Sequence, residues 1–246
     1  TLGTAISAVF TMNSMPYLGI LASFVFGLFA GMVTGLLITK LKIMPLLSGI
    51  LTMTGLYSIN LMIMNNTPTI SLFDQTTIFS SLDTITPYSK LIYVIVILIV
   101  IILNLFLKTQ LGLSLRACGD NEAMVRASSI DTDKMKVLGL ALANGFVSMS
   151  GAIFAQHQSF ADVNSGIGMM VIGLASIIVG MTFIKKEKII FQLIAVVFGA
   201  IFYRAILTVA LQLGLPSGYL KLLSAILVVI AIASTNGAFK RKKRRK

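Results

Sequence analysis

The sequence predicts an all-α fold, a polytopic bundle of transmembrane helices with one short helix on its cytoplasmic side. Three observations predict it. Charged residues make up 11% of the chain and the mean hydropathy is +0.95, whereas soluble domains carry about 25% charged residues. The apolar residues gather into runs that approach the ~20 residues a spanning helix needs. The connections between those runs alternate between basic and non-basic. Inside a bilayer an open strand edge would leave backbone groups unsatisfied, so the runs are expected to be helical.

Each element follows in order. Thr1–Met12 is apolar and rich in small residues. At 1.5 Å per residue it reaches only ~18 Å, short of a ~30 Å hydrocarbon core. It lacks the basic start of a signal peptide, and it reads as the end of a span that begins before Thr1. The longer runs are Leu18–Thr39, Ile43–Met64, Leu91–Leu107, Val137–Gln156, Met169–Ile184, Ile189–Leu213 and Tyr219–Ser234. Met169–Ile184 and Tyr219–Ser234 are short, and are expected to borrow flanking residues or to sit tilted. Pro16, Pro45, Pro68, Pro87 and Pro216 all fall at run ends or between runs, which spares helix interiors the lost donor and the ring clash.

Charge sets the orientation. Lys40 and Lys42 follow the second segment, while Asn65–Ser89 carries only Asp74 and Asp83. Lys108–Lys136 holds Lys108, Arg116, Arg126, Lys134 and Lys136, whereas His157–Gly168 carries only Asp162. Lys185–Lys188 reads KKEK, Gly214–Gly218 is uncharged, and the chain closes on KRKKRRK. Basic connections face the cytoplasm, which puts every second connection and the C-terminus inside. The organisation is a transmembrane domain over residues 1–239 and a basic cytoplasmic tail over 240–246. Seven of the twenty Lys and Arg lie in that tail, so the net charge of +12 reads as an anchor against anionic lipid, about 1 kcal/mol per basic residue, and not as a nucleic-acid surface.

Packing has its own signature. Gly27, Gly31 and Gly35 make two successive GxxxG steps, and Ala141/Gly145 and Ser176/Gly180 repeat a small-xxx-small spacing. Small residues let membrane helices approach closely where lipid offers no hydrophobic drive.

The segment Lys108–Lys136, KTQLGLSLRACGDNEAMVRASSIDTDKMK, carries half of the eight acidic residues. Gly119-Asp120-Asn121-Glu122 reads as a helix start, with Asp120 accepting from first-turn N–H groups and Glu122 at the positive end of the dipole. Glu122 and Arg126 stand at i, i+4. Ser128-Ser129 interrupts, and Asp131 or Thr132 caps the next helix, with Asp133 in its first turn. An ordinary solvated connector is the alternative on residue chemistry alone.

The run GLSLRACGDNEAMVRASSI resembles the cytoplasmic loop of ABC importer permeases of the branched-chain amino acid and ribose type. Arg116, Ala117, Gly119, Asn121, Met124 and Ile130 match that pattern, and Ser129 stands where the family usually has Gly. The resemblance extends through PLLSGILTMTGLYSINL, Ser150-Gly151-Ala152 and FGAIFYRAILTVALQLGLPSGYLKLLSAI, covering about Leu18 to Ala233. LITKLKIMPLLSGI and YRAILTVALQLGLPS look closest to permeases paired with aromatic amino acid binding proteins. The resemblance implies a permease subunit of an importer in the bacterial plasma membrane. It implies a second permease subunit, most simply a second copy, with a cytoplasmic ATPase dimer and an extracytoplasmic solute-binding protein. The coupling loop to the ATPase is then Arg116, Gly119, Asp120, Asn121, Glu122 and Arg126, and the solute an amino acid, aromatic preferred. A sugar or nucleoside importer is the alternative within the family, and an ion-coupled secondary transporter the alternative outside it. Ion coupling usually needs intramembrane Asp or Glu, and none lies within these runs.

No GxxxxGK[ST] pattern occurs, so this chain is expected to bind no cofactor of its own, with ATP and Mg on the partner ATPase. Enzyme readings find no catalytic set. His157 is the single histidine and Cys118 the single cysteine, poor material for a metal site. Arg204 is the one charge deep in a predicted span, and such a charge must face protein or water. It is open to meet a solute carboxylate, brace a dimer or bond helix carbonyls. Asn144, Ser148, Thr54 and Asn60 are the other candidates for the pathway or the dimer interface, with Gln156 on roughly the face of Asn144 and Ser148. Membrane Ser and Thr also bond their own backbone, so the pathway role stays open.

Overall fold

The computed structural model describes residues 1–73, 75–82, 88–166, 169–184 and 188–214, with scattered positions between 219 and 229. The expected span Tyr219–Ser234, the KKEK connection apart from Lys188, Pro87, Pro216, Asp74, Asp83 and the basic tail lie largely or wholly outside the described residues. Two compact units result, Thr1–Ile97 with Leu105–Ser165, and Leu98–Asn104 with Gly166–Lys246.

The first unit is helical. Helix α1 (Leu2–Met12) ends in a turn with Ser14 at φ 59°, and Pro16 opens α2 (Pro16–Thr39). Pro45 opens α3 (Pro45–Ile63) in the same way. Proline suits a first helical position, where its missing N–H is needed by no partner. Asn65 and Asn66 end α3 at φ 53° and 59°, a backbone region Asn tolerates through local hydrogen bonding. Then follow strand β1 (Thr69–Ser71), α4 (Ile78–Leu82) and α5 (Tyr88–Lys108), of which Leu98–Asn104 is counted with the second unit. After α5 the chain turns by 80° into α6 (Gln110–Asp120), followed by α7 (Glu122–Ala127), α8 (Thr132–Gln158) and strand β2 (Phe160–Asp162).

The unit is built on the α2–α8 contact. A Cβ on Gly27 would lie 2.5 Å from Ser148 Cβ and 2.7 Å from the Asn144 carbonyl oxygen. On Gly31 it would lie 2.6 Å from Ala141 Cα, and on Gly35 2.8 Å from Val137 Cα. The helices therefore run antiparallel with their backbones in contact, and the GxxxG steps of α2 meet the Ala141/Gly145 pair of α8. Phe24 and Phe146 close one flank edge to face, ring centres 5.4 Å apart.

The two ends of this unit differ in charge. At one end β1 pairs antiparallel with β2, Ile70 opposite Ala161, a two-stranded ribbon that hydropathy did not foretell. It ties the Asn65–Ser89 connection to His157–Gly168, the two non-basic connections that the charge pattern places on one side. Gln156, 1% exposed, belongs to the same end. Its amide donates to Ser7 Oγ at 2.9 Å and to the Pro16 carbonyl at 3.0 Å, and its oxygen accepts from the Ile78 N–H at 3.2 Å. At the other end Gly35 against Val137 brings Lys40 and Lys42 to the same side as the charged segment before α8.

In the second unit α9 (Met169–Phe183) and α10 (Ile189–Gln212) pack closely. A Cβ on Gly180 would strike the Ala195 carbonyl, and one on Gly199 the Ser176 carbonyl. The Ser176/Gly180 spacing thus has Gly199 as its counterpart. Ala175, Tyr203 and Leu207 form the buried cluster of this unit.

Among the described residues, α2, α3, α8 and α10 are each long and apolar enough to cross a membrane, and α5 with α6 gives a fifth if the bent pair is one span. The 15-residue α9 spans about 22 Å, the short element its sequence run foretold.

Candidate functional site

The charged segment folds as three pieces. The sequence suggested one short helix before α8; the structure adds α6 ahead of it. Thr109 caps α6, its Oγ1 accepting from the Gly112 N–H at 3.3 Å. A Cβ on Gly112 would run into the Phe106 carbonyl, so a glycine is what lets the chain fold back so tightly after α5. The signal was present as a Thr-x-x-Gly, but it was masked by the apolar residues on both sides.

One expectation needs correction. Asp120 does not open α7; it is the last residue of α6. The cap is Asn121, whose Oδ1 accepts from the Met124 N–H at 3.1 Å. The reason is register: α6 runs on to Asp120, so the extended break at φ −152° falls on Asn121. Of the two caps open for α8, the structure takes Asp131, which accepts from the N–H groups of Asp133 and Lys134, both at 3.1 Å. Ser129, in the position of the expected glycine, sits at φ 60°.

Glu122 is the hub. Its two carboxylate oxygens take Arg126 Nη2 at 2.9 Å and Lys136 Nζ at 2.7 Å. Arg126 also donates to Thr132 Oγ1 at 3.0 Å. The i, i+4 pair was legible, whereas Lys136 and Thr132 come from α8 and no spacing rule reaches them. The hydrogen bond from the Lys136 ammonium holds the Glu122 carboxyl below the usual carboxylate range, with the Lys136 and Arg126 charges adding to it. The Asp131 carboxyl is held down chiefly by the Lys134 N–H, with the Lys134 ammonium at 3.1 Å. Below α7, Val125 is 2% exposed, and Cys118 is buried with Sγ 3.9 Å from the Thr132 carbonyl. These contacts latch α7 and α6 to the start of α8.

What faces outward is different in kind. Gly119, Asp120, Asn121, Ala123, Arg126 and Ala127 are exposed, and Met124 is 62% exposed. Arg116 is half-buried, with no carboxylate paired to it among the described residues. A Cβ on Gly119 would meet open space. The result is a bare-backbone, soft apolar surface ringed by charge on a stapled base.

The intramembrane candidates differ in burial and in hydrogen-bond partners. Thr54 is exposed and donates to carbonyls of its own helix, Ile50 at 3.1 Å and Leu51 at 3.0 Å. Asn60 is fully buried, and its Nδ2 donates to Thr1 Oγ1 at 3.1 Å. Asn144 bonds the Leu140 carbonyl at 2.9 Å, and Ser148 is buried against Gly3 and Gly27. Arg204, in the second unit, is exposed. Among the described residues no three His, Cys, Asp or Glu come together as metal ligands.

Helices of this length, close-packed through glycine and carrying one charged interhelical element, define a multi-pass α-helical membrane protein. The profile of the family described as branched-chain amino acid transport system, permease component, matches residues 1–232, and the chain belongs to that family. It is 41% identical over 237 residues to a tyrosine transport system permease protein of Clostridioides difficile, covering 96% of this chain and 79% of the relative. It is 23% identical over 236 residues to the ribose import permease protein RbsC of Haemophilus influenzae, covering 94% and 72%. It is 27% identical over 180 residues to the autoinducer 2 import system permease protein LsrC of Yersinia enterocolitica, covering 73% and 49%. No solved structure matches the chain. Family membership makes it a transport subunit rather than an enzyme.

Proposed function

We propose that the chain is the permease of an ATP-driven importer for amino acids, aromatic ones preferred, in a bacterial plasma membrane. In this reading a second copy completes the pathway. Two cytoplasmic ATPase chains, holding ATP and Mg, press on the α6–α7 surface, and a solute-binding protein delivers cargo at the end that carries the β1–β2 ribbon. The tail and the C-terminus are cytoplasmic. The observation that carries the reading is the α6–α7 surface itself. Glu122, Arg126 and Lys136 satisfy one another within the chain, while Met124 is left exposed and a Cβ on Gly119 would meet nothing within 4 Å.

The mechanism follows from this division. Latching α7 to α8 through Lys136 and Thr132 makes a push on α7 a push on α8. Helix α8 in turn has no slack against α2, because backbone meets backbone at Gly27, Gly31 and Gly35. Force at the surface is thus delivered across the membrane as helix movement. The 41% likeness to a tyrosine permease, against 23% to a ribose permease, supports the amino acid class. The test is to purify the tagged chain with its ATPase and binding protein, and to melt the binding protein against tyrosine, phenylalanine, leucine, ribose and adenosine. Tyrosine and phenylalanine are expected to raise the midpoint. Stabilisation by ribose or adenosine alone would transfer the chain to the sugar or nucleoside reading.

A further inference from the structure

We infer that Arg204 is the counter-charge for a carboxylate on the transported solute, an inference that rests on the amino acid reading above. Arg204 lies in α10 (Ile189–Gln212), eight residues before its end, so about 12 Å from the nearer terminus. That is deeper than the last-turn positions from which arginines reach the interface. Its side chain is exposed and makes no hydrogen bond or ion pair among the described residues; only its carbonyl is engaged, accepting from Thr208 Oγ1 at 2.9 Å. Bonding to helix carbonyls, one of its three open uses, is therefore not made among the described residues.

The dimer-brace use meets a different obstacle. The eight acidic residues of the chain are Asp74, Asp83, Asp120, Glu122, Asp131, Asp133, Asp162 and Glu187. In the sequence each lies between the apolar runs, whereas Arg204 lies within one. The same residues in a second copy therefore offer Arg204 no carboxylate from within an apolar run. A charged guanidinium within the membrane requires an acceptor, and a solute that carries its own carboxylate supplies one while it passes. The fork of donors suits a carboxylate in two-point contact.

The test uses the full complex of permease, ATPase and binding protein in proteoliposomes, with binding protein loaded with radiolabelled tyrosine. Arg204→Gln is expected to lower uptake at least about tenfold, the loss from deleting a charged hydrogen bond. Arg204→Lys keeps the charge but loses the two-point fork, and is expected to retain part of the uptake, well above Arg204→Gln. Co-purification of the ATPase and hydrolysis without solute stay at wild-type level in both. Wild-type uptake by Arg204→Gln overturns the inference, as does failure of Arg204→Gln to assemble, which makes the side chain structural. Uptake that depends on anionic lipid in the wild type, with tyrosine transport intact in the variant, assigns Arg204 to lipid phosphate and also overturns it. If the complex carries a non-amino-acid carboxylate and Arg204→Gln blocks it, the inference stands and the amino acid reading falls. If the cargo has no carboxylate, the inference falls.

Discussion

Gly31→Ala puts the α2–α8 interface to the most exacting test. The added Cβ would lie 2.6 Å from Ala141 Cα and closer still to the Leu140 carbonyl, where ordinary contact begins at 3.4 Å. Both obstacles are backbone, so no side chain can turn aside, and the helices must part by roughly 1 Å. Gly27 and Gly35 lie on the same line and resist tilting about Gly31. Overpacking of this kind costs about 1–3 kcal/mol, which for a domain of this size lowers the melting midpoint by roughly 2–12 °C. Cys118 is the single cysteine and is buried, so a fluorogenic maleimide on the detergent-solubilised chain reports its exposure during heating. Gly55→Ala is the control, since a Cβ there meets nothing within 4 Å. It is expected to be neutral or to gain about 0.5–1 kcal/mol from helix propensity. Equal midpoints for the two variants would refute the close-packed interface.

The remaining predictions concern polar ties. Gln156→Leu leaves the Ile78 N–H unpaired in a buried site, at about 1–3 kcal/mol, and removes the ties to Ser7 and the Pro16 carbonyl; the same melt should show a drop comparable with that of Gly31→Ala. Ser129→Gly relieves a left-handed backbone, which costs an L-residue about 1–2 kcal/mol, and is expected to raise the midpoint. Acid should loosen the α6–α7 latch. The folded carboxyls of Glu122 and Asp131 are held below their unfolded values. Their contribution is therefore complete above an unfolded pKa of about 4 and is lost as pH falls through the lower folded values. The protection factor over α7, which is hydrogen exchange corrected for its intrinsic pH dependence, should be flat from neutral to mildly acid pH and fall only below that range, and Lys136→Met should weaken this dependence.

How much of this the sequence disclosed depended on the range of the interaction. Periodic and compositional signals are local, so the spans, the proline-started helices α2 and α3 and the Glu122–Arg126 pair were legible. The GxxxG steps announced close packing, but not that Ala141/Gly145 would be their partner, because pairing between distant helices leaves no mark in either one alone. Lys136 and Thr132 on Glu122, Gln156 on Ser7, Pro16 and Ile78, and the β1–β2 ribbon were hidden for the same reason. Asp120 was misplaced because Asp and Asn are both good caps. Only the length of α6, which runs on to Asp120, decided between them. The face of Arg204 was equally out of reach, since hydropathy gives depth and not direction.

The central claim is that force enters through the outward surface of α6–α7. ATP-driven tyrosine uptake by proteoliposomes carrying Met124→Glu measures it most directly. Met124 is 62% exposed and holds no part of the latch, so the chain should melt within about 2 °C of wild type. The account predicts that ATP-driven uptake and retention of the ATPase are both lost. Wild-type uptake, with the ATPase still bound, would contradict it.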